Sequence, residues 1–347
     1  MTLSRIELTG LLAFPLTPFD DALELNLGAF AEQVEGHLDA GAGALFIGCG
    51  TGEYSALAPT ELAALLRTAR EVVAGRVPVW VGAGGGAANA RAGVAAALEG
   101  GADGALLLPP YLVTGPPAGL LDHVRYALRD QALPVIIYQR SPGVFSAPST
   151  RSLLDIPTVV GLKDGYGDID LMSRVVATIR GTSTQRGQEF LFFNGLPTAE
   201  VSARAYSAIG VARYSSAVHC FAPEIADRFY RALGERDDAA IDALLTGFYL
   251  PLVALRDETP GFAVSLVKAA ARQRGHRVGG VRPPHVEPTA DQLDRLAGIV
   301  EGGFGTLRLL GNGTVPRSPA AAAPVAAAPV AAEPVAAEPV ATQPVGR

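Results

Sequence analysis

Lysine is nearly missing from this 347-residue chain: of its 28 lysine and arginine residues, only Lys163 and Lys268 are lysine. Arginine stays protonated under almost all conditions, whereas lysine sheds its proton when desolvated and then becomes a nucleophile. Cysteine is as scarce. Cys49 and Cys220 stand far apart, which excludes a disulfide framework and fits a reducing compartment. The five histidines, His37, His123, His219, His276 and His285, show no ligand spacing, so no metal site is expected. Basic charge is short as well. A net charge of −6 provides no basic face for a phosphate backbone and excludes nucleic acid as a partner. No stretch of 18 uncharged apolar residues precedes the C-terminal tail, and the first ten residues carry Arg5 and Glu7 without an apolar core. Neither a membrane span nor a signal peptide is expected, and the expected location is cytoplasmic.

What is present is apolar and periodic. Hydrophobic residues make up 49% of the chain, enough for a large core. Strand-like runs at residues 11–19, 44–49, 77–82, 104–108, 134–138, 159–163, 189–193 and 210–216 alternate with helix-like segments. Continuous apolar runs, unlike alternating ones, suit strands buried on both faces. Eight βα units in about 225 residues predict an α/β fold, a (β/α)8 TIM barrel over residues 1–235. An open doubly wound sheet is the competitor, but the first turn lacks a dinucleotide fingerprint.

Beyond residue 235 the pattern becomes helical, at 237–256, 261–274 and 289–300, giving a helical extension over 236–305. Pro324, Pro329, Pro334, Pro339 and Pro344 then recur every five residues in alanine, valine and glutamate filler. Proline at that spacing forbids a continuous helix, so residues 306–347, and most clearly 313–347, are expected to form a disordered tail.

In a parallel barrel, chemistry sits where the strands end. Those ends carry Gly50-Thr51-Gly52-Glu53, Tyr111, Tyr138 with Gln139 and Arg140, Lys163 with Asp164, Asn194 with Gly195, and Ser215 with Ser216. Burial at a barrel mouth would lower the pKa of Lys163 and let it attack a ketone. The iminium so formed is an electron sink, and the Tyr138 phenol can carry protons beside it. Backbone N–H groups and the Thr51 hydroxyl suit a carboxylate. Each residue also admits a duller role: Tyr138 as a core aromatic, Arg140 as a surface charge, Thr51 as a turn cap. The glycine run at 82–86 reads as a tight βα turn, and Lys268, in an apolar helical stretch, as structural or interfacial.

Taken in order, these residues resemble the dihydrodipicolinate synthase / N-acetylneuraminate lyase family of Schiff-base barrels, over roughly residues 8–305. The GTGE turn at 50–53, Tyr138 and Lys163 carry the resemblance. It implies Lys163 as the Schiff-base residue, Tyr138 as the proton shuttle, and Gly50 and Thr51 as the seat of a keto-acid carboxylate. It leaves Tyr111, Gly195, Ser215 and Ser216 as further contacts for a small keto sugar acid, calls for no metal or organic cofactor, and implies a homotetramer or dimer. Within the family, the KDGxGD form of the lysine motif (163–168) and GLPTAE (195–200) separate this chain from the aldolases and the synthase. They set it beside decarboxylating dehydratases of keto-deoxy sugar acids. The chain departs from the synthase at three places. Gly50 replaces a threonine, Leu112 replaces the second tyrosine after Tyr111, and Gly143 replaces a carboxylate-binding arginine. Arg140 is the candidate for the distal carboxylate, a task suited to a guanidinium. A class I 2-keto-3-deoxy sugar-acid aldolase, a dihydrodipicolinate synthase-like enzyme and a non-catalytic keto-acid-binding barrel remain the alternatives.

Overall fold

Alternation along a strand sends successive side chains to opposite faces, and a closed barrel turns those faces into an inside and an outside. The computed structural model describes residues 8–110 and 113–311. Its strands are β1 (Leu12–Ala13), β2 (Ala44–Ile47), β3 (Val79–Ala83), β4 (Gly104–Leu107), β5 (Val135–Gln139), β6 (Val159–Asp164), β7 (Leu191–Asn194) and β8 (Arg213–Ser216). They pair in parallel and in chain order, and the barrel closes where Leu12 of β1 aligns with Ser215 of β8. That closure excludes the open sheet.

The barrel helices are α1 (Leu27–Asp39), α2 (Pro59–Val73), α3 (Ala87–Glu99), α4 (Pro117–Ala127), α5 (Ala147–Arg151), α6 (Ile169–Arg180), α7 (Gln185–Glu189), α8 (Ala203–Ala208) and α9 (Pro223–Glu235). One core lies between the strands and this helical layer, with Leu45, Val81, Leu107, Ile137 and Leu162 on the strand side. A second fills the barrel itself, with Leu12, Phe14, Phe46, Trp80, Leu106, Ile136, Leu191 and Phe193.

The first strand is much shorter than expected. Only Leu12 and Ala13 join the ladder, because Pro15 and Pro18 have no N–H to contribute. Phe19, at the end of the expected run, instead bridges Leu25 in antiparallel sense. β7 begins at Leu191, later than expected, because residues 185–189 form α7.

The extension consists of α10 (Asp238–Leu244), a π-turn at Leu245–Tyr249, α11 (Leu250–Asp257), α12 (Phe262–Gln273) and α13 (Ala290–Leu309). The π-turn interrupts the single helix expected at 237–256. Pro251 has no N–H, and its ring would crowd the Gly247 carbonyl four residues back, which widens the turn. The segment Asp238–Asp257 has mean hydropathy 1.5 and a length that would suffice for a membrane span. Here Ile241, Leu244, Phe248, Tyr249, Leu252 and Leu255 are buried in a third core shared with α9, α12 and α13.

α13 runs nine residues past the expected end at 300, and so past the boundary drawn at 305/306. Its glycines would ordinarily weaken a helix. Gly303 instead permits close packing: a Cβ there would lie 2.5 Å from Phe248 and 2.8 Å from Ile225. The expected tail at 313–347 lies outside the described residues, as does Tyr111.

Candidate active site

Tyr138 and Lys163 are register partners on β5 and β6, so closing the sheet brings the phenol and the amine side by side on the inner face. Lys163 is 7% exposed. Its Nζ lies 3.8 Å from the centroid of the Phe14 ring and 5.1 Å from that of Tyr138. Phe14 stacks on Phe46 at 4.6 Å, and Phe46 on Trp80 at 5.6 Å. This aromatic column is a dry floor beneath the amine. Beside it is a small cavity bounded by Phe46, Leu106, Ile136, Phe193 and Ser215.

Burial pushes the Lys163 amine down to about 8; the Cys49 thiol beside it works in the opposite direction, and the Arg140 guanidinium adds to the lowering. Cys49 is itself pushed up to about 12 by burial. It is therefore an uncharged thiol near neutral pH and restrains the lysine little there. Burial raises Tyr138 above the usual phenol range, while Arg140 pulls it back. Arg140 is exposed, and its backbone bridges to Gly143 across a short turn.

Gly195, the residue after β7, shapes the pocket. Its N–H donates to the Asp164 carbonyl at 2.6 Å, and its own carbonyl accepts the Tyr138 hydroxyl at 3.1 Å. A Cβ on Gly195 would lie 2.6 Å from Cγ and 2.7 Å from Cε of Lys163, a contact real side chains do not make. Gly195→Ala is therefore expected to push the lysine off its axis. A displacement of about 1 Å costs on the order of 100-fold in kcat/KM, while melting should change little. Steady-state kinetics beside a thermal melt check this, and unchanged kcat/KM would refute the crowding argument.

Alternation separates neighbours that look equivalent in sequence. Asp164 turns away from the pocket and is fully buried. It accepts the Gln139 amide at 2.9 Å, the Tyr166 N–H at 3.1 Å and the Tyr206 hydroxyl. It braces the strand ends and does not face substrate. Asn194 does likewise on β7, donating to the Ala199 carbonyl at 3.1 Å and to Ser202 at 2.8 Å. Ser215 lines the cavity, but Ser216 does not: it is fully buried on the outer face and donates to Glu200. The expected substrate contact at Ser216 is corrected on that geometry, since adjacent residues of a strand cannot both point inward. Glu200 is 1% exposed, and burial raises it to about 7, against the pull of the Ser216 hydroxyl.

The 50–53 turn begins next to Cys49, which packs in the barrel interior with Phe14 and Tyr138. Its backbone is held by Glu53 N–H to the Gly50 carbonyl at 3.2 Å and Tyr54 N–H to the Cys49 carbonyl at 3.1 Å. The Thr17 hydroxyl donates to the Gly52 carbonyl at 2.6 Å. Among the described residues, the N–H groups of Gly50 and Thr51 meet no acceptor. Glu53 is fully buried and ion-paired with Lys268 at 2.6 Å, so the chain's second lysine is structural and its partner lies in the turn. Sequence reasoning missed that pairing and missed Phe14. The second could have been found by continuing the inward positions of β1 from Leu12 to the next even residue.

Elsewhere, the Nδ1 atoms of His37 and His219 lie 2.8 Å apart in the buried interior. Burial holds both well below the usual histidine range, His219 at about 4, so the pair is neutral at physiological pH and acts as packing.

A closed parallel barrel with a desolvated lysine on its sixth strand and a tyrosine on its fifth defines a class, and comparison with known proteins agrees. The chain belongs to the dihydrodipicolinate synthetase family, whose model matches residues 7–302. The family and the relatives make it a lyase. A Streptomyces coelicolor protein named "Probable 5-dehydro-4-deoxyglucarate dehydratase 1" is 50% identical, over 85% of this chain and 93% of its own length. A Streptomyces avermitilis protein of the same name is 48% identical over 86% of this chain and 95% of its own. The dihydrodipicolinate synthase from Oceanobacillus iheyensis shares the fold, with a TM-score of 0.76 at 22% identity, over 85% of this chain and 96% of the other.

Proposed function

We propose that this chain removes water and carbon dioxide from 5-dehydro-4-deoxy-D-glucarate to give 2,5-dioxopentanoate, through a Schiff base on Lys163. The observation that carries it is the buried Lys163 amine, held at about 8 beside Tyr138, in a chain half identical to proteins named as that dehydratase.

The free amine adds to the C5 ketone and loses water to form an iminium. The Tyr138 phenol, having given its proton to that departing oxygen, takes one back from C4 as the phenolate, leaving an enamine between C4 and C5. That electron pair expels the C3 hydroxyl, which leaves as water with the proton Tyr138 returns. The product is an iminium conjugated to a C3–C4 double bond. The C1–C2 bond then breaks: its electrons form C2=C3, the C3=C4 pair moves to C4=C5, and the C5=N pair moves to nitrogen. Carbon dioxide departs. Proton uptake at C4, ketonisation of the C2 enol and hydrolysis free the product, with one proton consumed overall. The iminium supplies the electron sink, so the route needs no organic cofactor and no metal.

In this reading the open N–H groups of Gly50 and Thr51 hold the C6 carboxylate beside the reacting ketone. Arg140 faces the distal carboxylate, and Ser215 offers its hydroxyl within the cavity. Oriented amides and a dry floor suit a reaction in which charge moves onto and off one nitrogen. We further propose a cytoplasmic homotetramer or dimer working in glucarate and galactarate catabolism. Incubation with 5-dehydro-4-deoxy-D-glucarate should release one equivalent each of carbon dioxide and 2,5-dioxopentanoate. Release of pyruvate without carbon dioxide would establish an aldolase instead.

A further inference from the structure

We propose that the buried Glu53–Lys268 ion pair is a positioning device, by which helix α12, outside the barrel, sets the backbone amides that grip the substrate's carboxylate. This rests on the reading of the 50–53 turn as the carboxylate seat.

Both side chains are fully buried, and Lys268 Nζ meets Glu53 at 2.6 Å. Lys268 also donates to the Gly280 carbonyl at 2.6 Å, and the Arg282 N–H donates to the other Glu53 oxygen at 3.0 Å. Lys268 and Arg282 each lie 4.2 Å from the centroid of the Phe19 ring. Arg282 goes on to grip Glu61 with two nitrogens, at 2.7 and 2.8 Å, and the Ala56 carbonyl at 2.8 Å. The contacts of Glu53 and Ala56 tie the loop after β2 to chain that follows the barrel, and those of Phe19 and Glu61 anchor the same two cations to the segment after β1 and to α2.

Glu53 has φ +56° and ψ +42°, a left-handed conformation that costs free energy for any residue except glycine. Something must hold it there, and its carboxylate is the only part of the side chain able to make strong bonds. A buried ion pair is weak evidence for stability, since an apolar pair of similar volume often serves as well. Its better-attested value is register: a carboxylate that must meet one ammonium and one N–H has a single place to sit. Here that place fixes the carbonyls and N–H groups of the three residues before it.

The test separates seat from fold. Lys163 is trapped reductively with cyanoborohydride at graded concentrations of pyruvate, a keto acid, or hydroxyacetone, which lacks the carboxylate, and scored by intact mass. In the double variant Glu53→Gln/Lys268→Met, which removes both charges together, half-saturating pyruvate should rise about 10- to 100-fold. Half-saturating hydroxyacetone should move less than about twofold. Glu53→Gln alone, which keeps a carbonyl for the Arg282 N–H, is run alongside in case the double variant does not fold, and should shift pyruvate in the same direction by less. An unmoved pyruvate curve in a folded variant, or equal shifts for both probes, overturns the inference. If the unsubstituted protein shows no preference for pyruvate, the carboxylate seat itself is wrong and the inference falls with it. If neither probe is trapped, the Schiff-base reading fails first.

Discussion

Replacing Lys163 with alanine or arginine should abolish turnover, with kcat lower by about 10³- to 10⁶-fold, as when a covalent nucleophile is lost elsewhere. Arginine keeps the positive charge and removes only the ability to become a free amine, so equal loss in both variants isolates nucleophilicity as the cause. Borohydride with substrate should leave an adduct on the unsubstituted protein and none on either variant. The trapping rate should also depend on pH in one direction. With the amine at about 8, the ammonium dominates below that value and the nucleophile above it. The rate should therefore climb through pH 8 and level off. Full activity in Lys163→Ala, or trapping that falls as pH rises, would end the account.

The same burial has a cost in stability. Moving the amine from 10.5 to about 8 corresponds to roughly 3 kcal/mol, at about 1.4 kcal/mol per unit. The sign follows from which form is penalised. The folded protein disfavours the ammonium, so the penalty is complete below pH 8 and fades as pH rises toward 10.5. The site is bought with fold stability.

Tyr138→Phe should lower kcat by about 10²- to 10⁴-fold, the usual range for a lost general acid–base, while Schiff-base trapping survives. The reasoning turns on the tyrosine's protein partner. Its hydroxyl donates to the Gly195 carbonyl at 3.1 Å, and an amide carbonyl cannot pass a proton onward. Gly50 offers no hydroxyl either. A proton taken from C4 thus has one useful destination, the departing C3 hydroxyl, which dehydration requires. Losing one hydrogen bond should cost only about 1 kcal/mol of stability, so the melt should barely change. Undiminished dehydration in Tyr138→Phe would place the proton transfer on another group.

Much of the barrel was legible because its causes are local. Apolar runs of strand length, broken by glycine and proline at regular intervals, mark eight βα units wherever the chain later goes. Lys163 stood out because the chain spends arginine almost everywhere else, and Tyr138 because it ends the neighbouring strand. Local signals also misled. The run at 11–19 reads as one strand although Pro15 and Pro18 end it early, and the helical pattern read to 300 stops short of a helix that continues through Gly302, Gly303 and Gly305. In the second case packing against Phe248 and Ile225 outweighs propensity.

The residue types, their order along the chain and the eight-fold rhythm thus settle the architecture and single out Lys163 as the candidate amine, since periodicity and side-chain chemistry are written residue by residue. Folding in three dimensions selected which of two adjacent residues faces the barrel interior: Ser215 over Ser216, Lys163 facing in and Asp164 facing out. It also joined Glu53 to Lys268 across the chain and slid Phe14 beneath the amine. Local alternation says only that neighbours on a strand point opposite ways; which of them points in, and which distant side chain it meets, depends on barrel closure and the burial of charge, energies of contact between distant segments.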